Sequence, residues 1–384
     1  MTIKKYCQSN PPLFVVQGSY HEMGRDIGSA TQDLIASSLS HYMARFEDDA
    51  GLTRAEIEHW GSRYWEATCK YDEDIAAMLE GMAETSRQPV RLLAALNART
   101  ELLFGAKQRD DGCTALSVLP QFTKSGHTLL AQNWDWHPDQ APNTILLATR
   151  DTQGFSVLAM TEAGMLAKCG LNSSGLGMCL NLLTSDSDCR GEGVPIHLML
   201  RGALQARTMA CAHRNVLQPE RVASANVLLA DSGGESIDFE LAPSCFASIL
   251  PRSGLIAHAN HFETDLGITD LKAKVSALTL LRPTRVRHLL EPWLERREVS
   301  EEAVVSVLRD TYSYPDGICR HRNEEESSGD QVSTVFSVMM DLTSQDLWIA
   351  PGPPDQHAYT RWNLDSLFES PTPTPDFPPV TEEG

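Results

Sequence analysis

The sequence predicts an α+β fold in which two layers of β-sheet are covered by helices. Three observations lead there. Before Cys113, apolar residues recur three or four apart, the period of helices. From Cys113 onward the pattern changes to short apolar or alternating runs, the signature of strands. These runs stand grouped between helical blocks, and no solenoid-type repeat is present. Periodicity alone does not choose among α+β arrangements.

Tyr20–Phe46, Thr53–Ser86 and Val90–Phe104 read as helices, the last two separated by a break at Gln88-Pro89. Strands are expected to start at Cys113 and to cover Thr128–Trp134, Thr144–Ala148, Phe155–Met160, Gly177–Leu182, Asn226–Ala230, Ser236–Leu241 and Leu255–His258. Helices resume at Ile196–Arg207, at Leu271–Arg297 with an interruption at Pro283, and at Glu301–Tyr312. Two last strands are expected at Thr334–Asp341 and Asp346–Ile349. The chain thus divides into a helical segment 1–112, a mixed region 113–369, and a tail 370–384 in which prolines among polar and acidic residues predict an extended, mobile segment.

At 384 residues the chain can bury a sizeable core in one large domain or two ordinary ones. A formal charge of −19 argues against general affinity for nucleic-acid phosphates or anionic lipid. The nine cysteines are odd in number and lack C-x-x-C spacing, so neither a disulfide framework nor a zinc ribbon is predicted. Neither a leader-like start nor a bilayer-length apolar run stands out, and the last three residues are not Ser-Lys-Leu. A cytoplasmic protein without cofactor or metal is the expectation.

Asp111-Gly112-Cys113-Thr114 places a thiol directly after a glycine at the start of a strand. Glycine leaves its carbonyl open to attack by the neighbouring thiol. Cleavage there would make Cys113 an N-terminus, joining a nucleophile to an amine of reference pKa ~7.7–8.0 that can take and return a proton. Without context, such a cysteine is a buried structural thiol.

The context comes from an ordered set of motifs: Val16-Gln17-Gly18-Ser19-Tyr20-His21-Glu22-Met23-Gly24, Ala131-Gln132-Asn133-Trp134-Asp135-Trp136, Gly170 to Gly177, His258-Ala259-Asn260-His261, Ser333 to Asp341 and Ala350-Pro351-Gly352-Pro353-Pro354. With Cys113 this set resembles the isopenicillin N acyltransferase family of autoproteolytic N-terminal nucleophile (Ntn) hydrolases. The resemblance implies a four-layer αββα sandwich, self-cleavage between Gly112 and Cys113, and two chains that stay associated. It implies Cys113 as nucleophile and Asp135 as the group that holds the new amine. Asn260 would donate its side-chain amide to an oxyanion, which needs no particular protonation state. Arg320, in Gly317-Ile318-Cys319-Arg320-His321, would hold a substrate carboxylate or order the pocket; the alternative is that it pairs with the acidic run Glu324-Glu325-Glu326. Ala115 departs from the fungal pattern, which has a hydroxyl there.

Other motifs fall short. Gly170 to Gly177 lacks the Lys-Ser/Thr ending of a phosphate loop and reads as a turn between strands. No G-x-S-x-G elbow is present. His258 and His261 are expected to be satisfied core histidines rather than zinc ligands. The predicted reaction is acyl transfer from an amide or thioester, through a Cys113 acyl-enzyme, to water or an amine, with a small N-acyl substrate favoured and acyl-CoA as a second donor. Two readings stay open beside it: a non-processing binding or scaffold protein, and a histidine-dependent intracellular cysteine protease.

Overall fold

Helices gather before residue 112 and strands after it, as the apolar period dictates. The computed structural model describes residues 4–6, 10–103, 112–327, 331–370 and 372–380. Phe104, Asp111, Pro371 and residues 381–384, which figure in the expectations above, lie outside these ranges.

Two strands, β1 Lys4–Tyr6 and β2 Leu13–Gln17, precede six helices: α1 Tyr20–Ala30, α2 Gln32–Asp48, α3 Arg54–Tyr71, α4 Glu73–Ser86, α5 Val90–Asn97 and α6 Arg99–Leu102. The three long helices expected here are therefore broken, each for a local reason. At Asp72 the backbone turns extended and the carboxylate accepts from the N–H groups of Asp74 and Ile75, starting α4 afresh. Thr31 and Ala98 interrupt the other two. Capping boxes at Ser19/Glu22 and Thr53/Glu56 start α1 and α3. Helices α1 and α4 pack backbone to backbone: a Cβ on Gly24 would lie 2.0 Å from the Met78 carbonyl oxygen.

From residue 112 the order is β3 Gly112–Val118, β4 Leu129–Trp136, β5 Thr144–Arg150, β6 Ser156–Glu162, β7 Cys169–Asn172, β8 Leu176–Leu182, α7 Ile196–Leu204 and α8 Met209–Leu217. Then come β9 Ala225–Asp231, β10 Ser236–Leu241, β11 Phe246–Ile249, β12 Leu255–His258, α9 Arg282–Arg296, α10 Glu301–Leu308, β13 Ser333–Asp341, β14 Asp346–Pro351, β15 Tyr359–Asn363, α11 Leu364–Leu367 and β16 Thr374–Asp376. One sheet runs β1-β2-β5-β6-β7-β8-β9-β10-β11, the other β12-β3-β4-β13-β14-β15-β16. Among the pairings of these strands in the described residues only β2–β5 is parallel.

The sheets face each other through β3, β4 and β8. The N-terminal helices with α7 and α8 cover the first sheet, and α9 and α10 cover the second. The result is an αββα sandwich. Strands β3, β4 and β13 are buried at every position because both faces are covered, which is why they read as continuous apolar runs. Among the described residues no helix is long and apolar enough to cross a membrane.

Three expectations need correction. Pro283 does not interrupt a helix; it sits in the first turn of α9, where its missing N–H costs nothing. Helix α7 ends at Leu204 and a separate α8 follows. The described part of the tail is docked rather than free: β16 adds to β15 as an edge strand, where Pro375 is tolerated, and Trp348 Nε1 donates to Asp376 at 3.0 Å.

Candidate active site

Gly112 and Cys113 open β3 beside the end of β4, with Gly112 opposite Asp135 and Cys113 opposite Trp134. The expected closeness of Asp135 to Cys113 is present, although residues 119–128 join the strands in place of a tight hairpin. On the other side β12 pairs with β3, His258 opposite Ala115, and so delivers Asn260 to the same end.

Asn260 Oδ1 accepts from the Cys113 N–H at 2.7 Å, and its Nδ2 donates to the Leu182 carbonyl at 2.8 Å. The amide therefore presents its acceptor, not its donor, to the Gly112–Cys113 peptide. Asp135 is fully buried; Oδ1 accepts from Thr334 Oγ1 at 2.8 Å and Oδ2 faces Arg282 Nη1 at 3.3 Å.

Arg282 is the residue that sequence reasoning missed. Buried at the start of α9, its Nη1 donates to the Cys113 carbonyl at 3.0 Å and lies 3.4 Å from Thr114 Oγ1, and its Nη2 donates to Asn260 Oδ1 at 2.9 Å. A cation in the first turn of a helix opposes the macrodipole. That misplacement was the one available sequence signal that Arg282 has a buried partner. Glycine at 112 follows from the crowding: a Cβ there would lie 2.6 Å from Arg282 Nη2 and 2.9 Å from Asn260 Oδ1.

Arg320 reaches this site through its backbone. Its N–H donates to Thr334 Oγ1 and its carbonyl accepts from the Thr334 N–H, both at 3.0 Å. The guanidinium pairs with Asp316 at 3.1 Å.

Cys113 is 4% exposed. Burial and, next, the Asp135 charge push its thiol up to about 11, against smaller opposing effects of the Asp135 backbone, Arg282 and Lys168. The thiol is thus protonated at neutrality in the uncut chain. No described histidine bonds to Cys113. His258 pairs with Glu240 at 2.8 Å and His261 meets Thr279 Oγ1 at 3.2 Å.

The thiol opens on a small cavity of about 30 Å³ walled by Trp134, Trp136, Phe336, Leu180 and Leu182. Arg99 and Lys168 also line it. Lys168 Nζ pairs with Glu162 at 2.7 Å; burial first, then Arg99, outweigh that partner and bring the ammonium down to about 7. One group among the described residues has the donor set for a metal ion: Cys319, His321 and Asp355, with ligand atoms within 4.8 Å of one another. There the Cys319 thiol donates to Asp355 at 3.1 Å and His321 pairs with the same carboxylate at 3.0 Å, so the three satisfy each other.

A family model described as acyl-coenzyme A:6-aminopenicillanic acid acyl-transferase matches residues 122–356, a span that begins after Cys113. The 40 kDa form of acyl-coenzyme A:6-aminopenicillanic-acid-acyltransferase from Emericella nidulans is 27% identical over 367 residues, covering 91% of this chain and 96% of that one. Among solved structures, a mutant conjugated bile acid hydrolase from Clostridium perfringens is 14% identical with a TM-score of 0.47, covering 70% of this chain and 98% of that one. Penicillin V acylase from Agrobacterium tumefaciens is 12% identical with a TM-score of 0.41, covering 62% and 83%.

Proposed function

The chain belongs to the acyl-coenzyme A:6-aminopenicillanic acid acyl-transferase family, and from that premise we propose that it cuts itself between Gly112 and Cys113 and then transfers acyl groups through Cys113. The observation that carries this reading is the cluster around Cys113, with Asn260 on its N–H, Arg282 on its carbonyl and Asp135 beside Arg282, next to a Gly112 whose Cβ would press on the Arg282 and Asn260 side chains.

In the uncut chain Cys113 Sγ attacks the Gly112 carbonyl carbon. The S–C bond forms, the C–N bond breaks, and the thiol proton passes to the departing Cys113 nitrogen. Water hydrolyses the thioester, leaving a Gly112 carboxylate and a free Cys113 amine. Asn260 Oδ1, already 2.7 Å from that nitrogen, accepts from the new amine and aims it. Arg282 offsets the Asp135 charge and fixes the Cys113 carbonyl. In turnover the thiol attacks an amide or thioester carbonyl, the amine takes the thiol proton and gives it to the leaving group, and water or an amine resolves the acyl-enzyme.

Intact mass spectrometry of wild type beside Cys113→Ala is the test. Wild type is expected to give fragments 1–112 and 113–384, and the variant a single chain. A wild type that turns over N-acyl compounds or acyl thioesters with its backbone whole at this junction would refute the reading. The protein named in the Emericella comparison makes a coenzyme A thioester and an amine acceptor the second pair to screen, after N-acyl amino acids and water.

A further inference from the structure

The cavity beside Cys113 also has cations in its wall. Arg99, 6% exposed, lines it together with Cys113, yet among the described residues its guanidinium makes no hydrogen bond. Its nearest carboxylate oxygen, Glu162 Oε2, is 3.8 Å away, beyond hydrogen-bond range. That oxygen is ion-paired with Lys168 Nζ at 2.7 Å, and Oε1 accepts from the Tyr42 hydroxyl at 2.8 Å. Two cations therefore share one carboxylate, and the group is short of negative charge.

Buried structural arginines in this chain behave otherwise. Arg201 donates to Gln205 and Thr149 at 2.6 and 2.9 Å, and Arg221 to several backbone carbonyls. Arg99 is instead held by ring faces: Trp136 at 4.3 Å, Tyr42 at 5.4 Å and Trp134 at 5.9 Å from its Cζ. Stacking fixes the guanidinium plane and leaves its N–H edge unspent. The Trp136 indole N–H, on a residue of the same wall, also lacks an acceptor among the described residues. A buried donor without a partner is costly, and two in one cavity call for an acceptor that arrives with a ligand.

We propose that the Arg99 wall of the cavity is a carboxylate-binding subsite that selects acyl substrates bearing an anionic group. A carboxylate matches the guanidinium fork bidentately, and the indole N–H supplies a further donor. The aromatic and leucine side chains of the same wall take the carbon skeleton. This assignment rests on Cys113 as the reacting group. It also gives the segment before the cleavage point a task after cleavage, since Arg99 belongs to that segment while Cys113 begins the next.

Processed wild type, Arg99→Met and Arg99→Lys are to be assayed with N-acyl amino acids and the matching methyl esters. Wild type is expected to favour the acid by about 10- to 100-fold in kcat/KM, mainly through KM; Arg99→Met brings the ratio close to one, and Arg99→Lys, which keeps the charge without the fork, recovers part of it. Quenching of tryptophan fluorescence by the same acids and esters reads binding without turnover. Arg99-dependent binding of the acid with no turnover would retire Cys113 as nucleophile and leave the subsite standing. Turnover with equal preference for acid and ester in wild type, or a preference that survives in Arg99→Met, would overturn the subsite. Arg99→Lys keeps the test decisive if Arg99→Met is misfolded.

Discussion

Two buried arginines stand near Cys113, Arg282 against its backbone and Arg99 in the wall of its cavity, and the two are bonded in opposite ways. Arg282 faces the Cys113 carbonyl, Thr114, Asp135 and Asn260, and so holds one peptide bond in one geometry. Arg99 lies on three aromatic faces and donates to nothing described. Hydrogen bonds fix a group that is always present, whereas stacking positions a cation for one that comes and goes. In the proposed reading the same residue type serves an internal substrate in one place and a visiting one in the other.

Removing each arginine breaks or upholds that contrast. In a Cys113→Ala background, which keeps the chain uncut, Arg282→Met leaves Asp135 buried without its cation and is expected to cost about 3–5 kcal/mol in urea unfolding. Arg99→Met relieves a shortage of negative charge and is expected to cost less than about 1 kcal/mol, because no hydrogen bond is lost. Equal losses would mean that Arg99 is structural after all. With Cys113 restored, Arg282→Met is also expected to slow self-cleavage by about 100-fold or more, the scale of losing a preorganised donor, read from the fragment yield over time.

Gly112→Ala tests crowding alone. Its methyl group would press on Arg282 Nη2 and Asn260 Oδ1, and overpacking of this kind costs about 1–3 kcal/mol. Cleavage is expected to slow with it. An alanine variant that is as stable and as quickly cut as wild type would show that the junction has room to spare.

The Gly112–Cys113 junction was far more legible in the sequence than the cluster around Arg99. Glycine before cysteine, and an aspartate at the far end of the next strand, are local features, and the pairing of β3 with β4 turns them into neighbours at Gly112 and Asp135. Asn260 was recognisable by its motif, but the orientation of its amide, with the acceptor toward the Cys113 N–H, was not. Arg320 was placed near the site by resemblance; its backbone N–H reaches Thr334 and its guanidinium pairs with Asp316. Arg282, 169 positions after Cys113, is joined to it by packing of α9 on the second sheet, which no periodicity encodes. Arg99, Glu162 and Lys168 come from a helix end, a strand end and a turn, and a pattern of apolar residues is silent about charges that meet only in the core.

Lys168 sharpens the comparison through pH. Its ammonium, brought down to about 7 by burial and Arg99, has an ordinary value near 10.5. Below pH 7 folded and unfolded chains both hold the proton, and the penalty is fully present. Between about 7 and 10 the unfolded chain binds more protons, so stability rises by up to about 1.4 kcal/mol per pH unit from this group. Lys168→Met in the Cys113→Ala background should lack that rise, and the Cys113 thiol, which pulls the other way above pH 9, is absent from both proteins. Parallel stability curves for the two would show that Glu162 compensates Lys168 fully and that the cluster is not short of negative charge.

The smallest effect is the most discriminating. Trp136→Phe keeps the ring that stacks on Arg99 but removes an indole N–H with no acceptor among the described residues. Around Arg282, deleting a donor strands its partners; here there is no partner to strand, so stability is expected to change by less than about 0.5 kcal/mol or to improve. Affinity for the carboxylate form should nonetheless fall by a few fold while the methyl ester is held as before, read by competition against processed protein. A loss of stability above about 1 kcal/mol would mean that the indole N–H has a partner within the fold, and the cavity would then hold one unspent donor instead of two.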